Sequence, residues 1–385
     1  MKIFYIITFI LICVLALIFA SFKLADQTEK VSILPSDNIH QILEKTVINE
    51  GIPSIVAAII DSNGVVQIGS AGVRKMGSLD PITNQDKLHL GSCTKAMTSA
   101  MLAILVDEGL LSWESTIGEI FNDLKDSIHH AYHDVTVYQL VRHRGGIIDN
   151  ASNWWQYSDM EKDKTRRKEI KERRKAILLD NLKNAPQKNQ GEFLYSNLGY
   201  MIAGSMAAQV TGNTWEELMT KKLFDPLKMT TAGFGSPGTK GKIDQPWGHN
   251  NAWLSGWNPV QGDNAEALGP AGTVHCSLED WGKFIAFQFL DDSQKHLSSL
   301  QLANLKTPEG DYAAGWNKLE RPWAKGHAFT HSGSNTMWLS VAWVAPETGK
   351  AYLVVTNAMN PNMHKVCDGV IGQLLKLDGA IASEQ

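Results

Sequence analysis

The spacing of hydrophobic positions changes along the chain, and each change marks a different kind of element. From Ile3 to Phe22 every residue is uncharged and mostly apolar, and the run is bracketed by Lys2 and Lys23. Such a run is apolar on all helical faces and long enough for a bilayer span, longer than most cleaved leader cores. It predicts an export leader or membrane anchor over residues 1–24, followed by a polar linker over 25–37. The chain is therefore expected outside the cytoplasm, periplasmic or held on the outer face of the cytoplasmic membrane. Ile39 to Ile48 then takes up the 3.6-residue period of an amphipathic helix, stopped by Gly51-Ile52-Pro53. Two apolar runs, Ser54–Ile60 and Val65–Ala71, flank Asp61-Ser62-Asn63-Gly64 and read as a hairpin. Met97, Met101, Leu102, Ile104 and Leu105 recur at helical spacing and predict a long helix from Ser92 to Leu111, closed near Gly109.

A mostly helical region continues to about residue 230, and a Trp- and Gly-rich stretch from Gln245 to Gly272 reads as irregular. Strand patterns return at Thr336–Val344 and Tyr352–Thr356, around the turn Pro346-Glu347-Thr348-Gly349. Strands at both ends of a helical middle predict a mixed α+β domain over 38–380. Its antiparallel sheet would be built from about 38–75 and 305–375, with flanking helices and a helical domain inserted over about 92–300.

Composition narrows the function classes. A hydrophobic share of 43% supports a full core, and a net charge of -4 offers neither the basic surface of a nucleic-acid binder nor an acidic bias. Cysteines at 13, 93, 276 and 367 show no Cys-x-x-Cys or metal-ligand spacing, so neither a disulfide framework nor a metal is expected. His129 and His133 have the i, i+4 spacing of zinc ligands but lack the intervening Glu of a metalloprotease. No cofactor is implied. The charged run Glu161–Lys175 reads as a solvated helix face, with docking to an anionic surface the lesser alternative.

Chemistry enters at Ser92-Cys93-Thr94-Lys95. Positions i and i+3 share a helix face, so Lys95 can reach the Ser92 hydroxyl and, if burial lowers its pKa, take the proton. Cys93 points to another face and is read as structural. The spacing alone arises by chance about once or twice in a chain this long. Tyr195-Ser196-Asn197 is the chain's sole Tyr-x-Asn. A phenol whose pKa is lowered by a nearby ammonium can serve as general base, and a carboxamide can pair with a substrate amide. His331-Ser332-Gly333-Ser334 precedes an apolar alternation read as a strand that the motif opens. A glycine there admits a ligand to the backbone, and a free N–H can complete an oxyanion hole with that of the nucleophile. Trp247, Trp253 and Trp257 are candidates for lining a cleft.

Ser-x-x-Lys, then Tyr-x-Asn, then His-x-Gly, in that order, resembles the serine beta-lactamase and penicillin-binding protein superfamily, in its class C beta-lactamase, DD-carboxypeptidase and esterase branch. Leu90–Lys95, Leu140–Ile147, Val210-Thr211-Gly212, Asp225–Met229, Pro270-Ala271-Gly272-Thr273 and Pro346–Gly349 also resemble landmarks of that superfamily, across roughly 38–375. The resemblance implies that Ser92 attacks a carbonyl, that Lys95 with Tyr195 manages its proton, and that Tyr195 later activates water. It implies further that Asn197 binds the acyl amide, that the N–H groups of Ser92 and Ser334 form the oxyanion hole, and that His331, Ser332 and Gly333 line the substrate side. Most class C enzymes carry Lys where this chain has His331, which weakens the expectation of efficient beta-lactam hydrolysis. Were His331 to lend charge, activity on anionic substrates would fall as pH rises through about 6 to 7. A Ser-Asp-Asn tripeptide stands at 36–38, upstream of Ser92 and so out of order. The implied activity is hydrolysis of an amide or ester, such as a D-amino-acid peptide, beta-lactam or carboxylic ester, through an acyl-enzyme on Ser92. The alternative is a penicillin-binding sensor that is acylated without turnover. The partners expected are a small-molecule or peptide substrate and, through the N-terminal run, a membrane.

Overall fold

The computed structural model describes residues 38–151, 170–252, 256–291, 293 and 296–382. The residues from Asn38 onward cluster as one compact unit. The apolar run Ile3–Phe22 lies outside the described residues, among which no helix is long and apolar enough to cross a membrane.

The first helix, α1 (Ile39–Glu50), starts where Asn38 and Gln41 exchange side-chain and backbone hydrogen bonds in a capping box, and it ends at Gly51 with φ of 59°. Strands β1 (Ser54–Asp61) and β2 (Gly64–Gly72) follow as the predicted hairpin. Asn63 N–H donates to Asp61 Oδ1 in the turn at 2.7 Å. Two short strands, β3 (Leu88–His89) and β4 (Gly233–Phe234), pair later with β7 (Val274–Cys276) in a three-stranded sheet. Between them lie α2 (Thr94–Asp107), α3 (Ile170–Leu182) and α4 (Asn197–Thr211). The stretch expected to be irregular contains a hairpin, β5 (Gly248–Ala252) and β6 (Gly256–Val260), followed after β7 by α5 (Leu278–Ile285). The C-terminal strands are β8 (Tyr312–Ala313), β9 (Trp316–Arg321), β10 (Gly326–Ser334), β11 (Leu339–Ala345) and β12 (Lys350–Thr356), and helix α6 (Met363–Leu377) follows.

The main sheet has seven strands in the order β2-β1-β12-β11-β10-β9-β8, all antiparallel. Strand β1 is buried on both faces because each face has its own cover. Ile55, Ala57 and Ile59 meet α1 and α6 through Leu43, Val370 and Leu374. Val56, Ala58 and Ile60 belong to the larger core that holds Met97, Met101, Tyr200 and Trp281. Burying one such aliphatic side chain fully contributes about 1.5–3 kcal/mol, so a one-residue slip of β1 would exchange two packed faces at high cost.

Three local expectations need correction. The helix predicted from Ser92 begins as a 3-10 turn, Gly91–Cys93, and becomes α-helical only at Thr94, because the chain must turn sharply out of β3. His331–Ser334 does not open a strand; it closes β10, and a turn with Thr336 at φ of 70° leads into β11. In α3, Arg173 and Arg174 are buried rather than solvated, the first paired with Glu266 and the second with Glu216 at 2.6 Å, partners remote in sequence. The part of that charged run before residue 170 lies outside the described residues.

Candidate active site

Gly91 sets the geometry around Ser92. Its φ of 50° is left-handed, and a Cβ there would stand 2.3 Å from the Ser334 nitrogen. Gly333 is pressed just as closely from the other side: a Cβ on it would lie 2.0 Å from the Leu90 carbonyl oxygen and 2.6 Å from the Ser92 nitrogen. The two glycines let the end of β10 lie against the Gly91–Cys93 turn, which brings the backbones of Ser92 and Ser334 side by side. Ser340 Oγ, on β11, fastens the contact by donating to the Leu90 carbonyl at 2.7 Å.

Lys95, on the first turn of α2, is 0% exposed. Its Nζ has three polar partners: Ser92 Oγ at 3.0 Å, Asn197 Oδ1 at 2.7 Å and the Ala271 carbonyl at 2.8 Å. No carboxylate stands among these contacts. Burial therefore lowers the Lys95 pKa to about 7, partly offset by Cys93. A neutral amine has two N–H donors and one lone pair, and this triad fits them: Asn197 and Ala271 accept, and the lone pair faces the Ser92 hydroxyl. The Ala271 contact accounts for the Pro270-Ala271-Gly272 segment, whose role is not evident from sequence. Thr98 Oγ1 also anchors that segment by donating to the Pro270 carbonyl at 2.7 Å.

Tyr195 and Asn197 arrive just ahead of α4. Ser196 caps the helix, its Oγ accepting from Gly199 N–H at 2.8 Å and donating to the Ile148 carbonyl at 2.6 Å. Ser196 N–H donates to His143 Nδ1 at 3.0 Å. His143, itself at φ of 60°, packs its ring 4.3 Å from that of Tyr195. The Tyr195 side chain neighbours Ser92, and Lys95 Nζ lies 4.8 Å from the centre of its ring. Burial pushes the Tyr195 pKa up, with Ser92 a smaller opposing influence. The expectation of a phenol made more acidic by a neighbouring ammonium is thereby reversed: Tyr195 holds its proton, and the group whose pKa has moved into the working range is Lys95.

Asn197 is already committed at both ends of its carboxamide, Oδ1 to Lys95 and Nδ2 to Asn150 Oδ1 at 2.8 Å. His331 is 4% exposed and turns to Tyr312, whose hydroxyl is 3.2 Å from Nε2. Burial, reinforced by the charge on Lys95, lowers its pKa to about 3. It is an uncharged ring behind Tyr195, not a cation at the rim, so the expected loss of charge near pH 6 to 7 has no source in this residue. Ser332 is exposed, whereas the backbone of Gly333 and Ser334 presses on the Gly91–Cys93 turn.

Other candidates lie elsewhere. Trp257 donates to the Gly51 carbonyl at 2.8 Å and packs with the α1/α6 core, Trp247 is capped by Lys75 Nζ at 4.0 Å, and Trp253 is outside the described residues. His129 Nδ1 accepts from Ala131 N–H, and His133 Nε2 faces the Lys125 and Ile128 carbonyls. Among the described residues no group of His, Cys, Asp and Glu is arranged to hold a metal.

Comparison with known proteins places the chain in a family and a fold. The family described as Beta-lactamase matches residues 39–375. Protein flp of Staphylococcus aureus (strain N315) is 26% identical over 88% of this chain and 66% of its own length. Beta-lactamase-like protein 2 of Dictyostelium discoideum is 24% identical over 77% of this chain and 55% of its own length. The chain thus spans somewhat under two thirds of the curated relatives it matches. Among solved structures, the D-amino acid amidase of Ochrobactrum anthropi SV3, complexed with L-phenylalanine amide, superposes with a TM-score of 0.70 at 20% identity, covering 89% of this chain and 96% of that one. The octameric penicillin-binding protein homologue of Pyrococcus abyssi gives 0.69 at 22% identity, covering 86% and 75%. At these identities the likeness is one of fold.

Proposed function

Because the chain belongs to the beta-lactamase family, a family of serine hydrolases, we propose that it hydrolyses an amide or ester through an acyl-enzyme on Ser92, with Lys95 as the base. The observation that carries this reading is a fully buried amine, its pKa near neutrality, 3.0 Å from the Ser92 hydroxyl. Neutral Lys95 takes the Ser92 proton as Oγ adds to the substrate carbonyl carbon. The carbonyl oxygen becomes an oxyanion facing the N–H groups of Ser92 and Ser334, each such donor being worth on the order of 3 kcal/mol of barrier. Collapse breaks the bond to the leaving group, which takes a proton from the Lys95 ammonium directly or by relay through the Tyr195 hydroxyl. Water then adds to the acyl carbon and passes a proton to Lys95 by the same route; collapse breaks the acyl–Oγ bond, Ser92 Oγ takes that proton back from Lys95, and the acid is released. Asn197 orients Lys95 through Oδ1, and a substrate amide would meet it by displacing Asn150.

The amidase among the structural neighbours supports an amide substrate, and the neutral, buried His331 removes one reason to expect a carboxylate-bearing one. The apolar run Ile3–Phe22 supports work outside the cytoplasmic membrane. A second reading, acylation without turnover, draws on the raised pKa of Tyr195, which leaves Lys95 as sole base for both half-reactions. Nitrocefin, a p-nitrophenyl ester and a D-Ala-D-Ala peptide separate the possibilities. Steady release by the wild type with none by Ser92→Ala is expected; turnover retained in Ser92→Ala would refute the mechanism, and a stable mass adduct without release would favour the sensor.

A further inference from the structure

Asp263 stands behind the oxyanion pocket, on the segment between β6 and the Pro270 turn, and matches none of the sequence motifs. Its side chain is 9% exposed, and its Oδ1 lies 2.7 Å from Nε2 of His89, which is wholly buried. The approach is off the axis of the ring N–H, so the contact is electrostatic more than a linear hydrogen bond. At the far side of the ring, His89 Nδ1 accepts the N–H of Gly91 at 3.1 Å. That bond requires the proton on Nε2, where Asp263 favours it. The same Oδ1 accepts from Asn335 Nδ2 at 3.2 Å. Asn335 is buried, follows Ser334 directly, and steadies the turn by accepting from Met337 N–H at 3.2 Å. Ser334 Oγ accepts from Thr336 N–H at 2.9 Å in the same turn. Thr336 holds φ of 70°, a conformation costly for a β-branched residue and sustained only by surroundings that fix it.

One carboxylate oxygen thus reaches both walls of the pocket. Through His89 it holds the peptide one residue ahead of Ser92; through Asn335 it holds the residue just after Ser334. Ser340 Oγ also reaches both walls, 2.7 Å from the Leu90 carbonyl oxygen and 3.3 Å from that of Gly333; Asp263 adds a second tie, made through side chains. We propose that Asp263 is a positioning residue that sets the separation and aim of the two oxyanion donors, with His89 and Asn335 as its arms. It rests on the reading of Ser92 and Ser334 as those donors. It touches no substrate atom, so its loss should be felt in the transition state and little in ground-state binding.

The test compares wild type with Asp263→Ala, Asp263→Asn, Asn335→Ala and the double variant Asp263→Ala/Asn335→Ala. Rates are normalised to active sites titrated with a fluorophosphonate, so that a merely unfolded fraction does not count. Asp263→Ala is expected to lower kcat per titrated site on the order of tenfold to a hundredfold with KM changed less than about threefold, a part of the loss seen when one oxyanion donor is deleted. Asp263→Asn, which keeps Oδ1, should recover most of it, and the double variant should fall little below Asp263→Ala because both act through one oxygen. Unchanged kcat per titrated site, or additive losses, would overturn the assignment. Hydrogen exchange without substrate gives an answer independent of turnover. Asp263→Ala should speed exchange in peptides covering both 88–94 and 332–338; acceleration in neither would remove the clamp even if Ser92 proves to be the nucleophile. Acceleration in both would keep the clamp even if the hydrolase reading fails.

Discussion

Replacing Lys95 by Met tests whether one buried amine controls stability and catalysis together. Its pKa falls from 10.5 in the open chain to about 7 in the fold, chiefly through burial. Between those values the folded state binds fewer protons than the unfolded one, so stability rises with pH across the window and is lost as pH falls from 10.5 toward 7. From the two pKa values, the amine penalises the fold by about 4 kcal/mol at pH 7 and about 2 kcal/mol at pH 9. Methionine has similar reach and no charge, so Lys95→Met removes this pH dependence. It also strands Asn197 Oδ1 and the Ala271 carbonyl, a cost of about 1–3 kcal/mol each that does not vary with pH. Urea unfolding of both proteins at pH 7, 8 and 9 isolates the slope. Ionisation of the buried thiols and phenols is common to both and largely cancels. The stability of wild type relative to Lys95→Met should grow by about 2 kcal/mol from pH 7 to 9. The acylation rate of wild type should rise through a pKa near 7 over the same interval. A pH-independent difference in stability would show that Lys95 is charged in the fold, and the base mechanism would lose its foundation.

Gly333→Ala forces a Cβ into the backbone of Leu90, Ser92 and Cys93, where no flexible side chain can yield. It should destabilise in the upper part of the overpacking range of about 1–3 kcal/mol and abolish acylation, read by thermal melting and adduct mass. Nearly full acylation would mean that β10 does not press on the nucleophile turn as described. His331→Gln should leave the shape of the pH–rate profile between about pH 5.5 and 8 unaltered, since the wild-type ring is uncharged throughout, its pKa lowered to about 3. Disappearance of a limb near pH 6 to 7 in that variant would restore a charged role for this residue.

What was legible in the sequence depended on how local its cause is. The α1 helix and the β1–β2 hairpin are written into Asn38, Gly51, Asn63 and Gly64, which act on their neighbours in sequence. Ser92, Lys95, Tyr195 and Asn197 were visible as spacings, and the structure brings all of them together around Lys95 Nζ. Their electrostatics were not visible. The direction of the Tyr195 shift, the neutrality of His331 and the burial of Arg174 each come from segments remote in the chain, such as Tyr312 for His331 and Glu216 for Arg174. His331–Ser334 was placed at the wrong end of a strand because Ser332, exposed, and Gly333 give β10 almost no apolar alternation; pairing with β9 and β11 makes it a strand. Asp263 stands in no motif, and His89 only in a common His-x-Gly spacing, because their pairing joins segments remote in the chain.

The order of strands in the main sheet has a consequence for when the candidate site is complete. Ile55 in β1 is registered against Thr356 in β12, so the hairpin made first must wait for nearly the whole chain before its open edge is covered. Ser92 likewise meets its second wall only when β10 is in place. Contacts of such long sequence separation slow folding and leave an unpaired edge exposed to other chains in the meantime. A nascent polypeptide would therefore carry Ser92 without the surroundings of the candidate site, and any activity the proposal assigns to Ser92 would report closure of the sheet rather than synthesis of the motif.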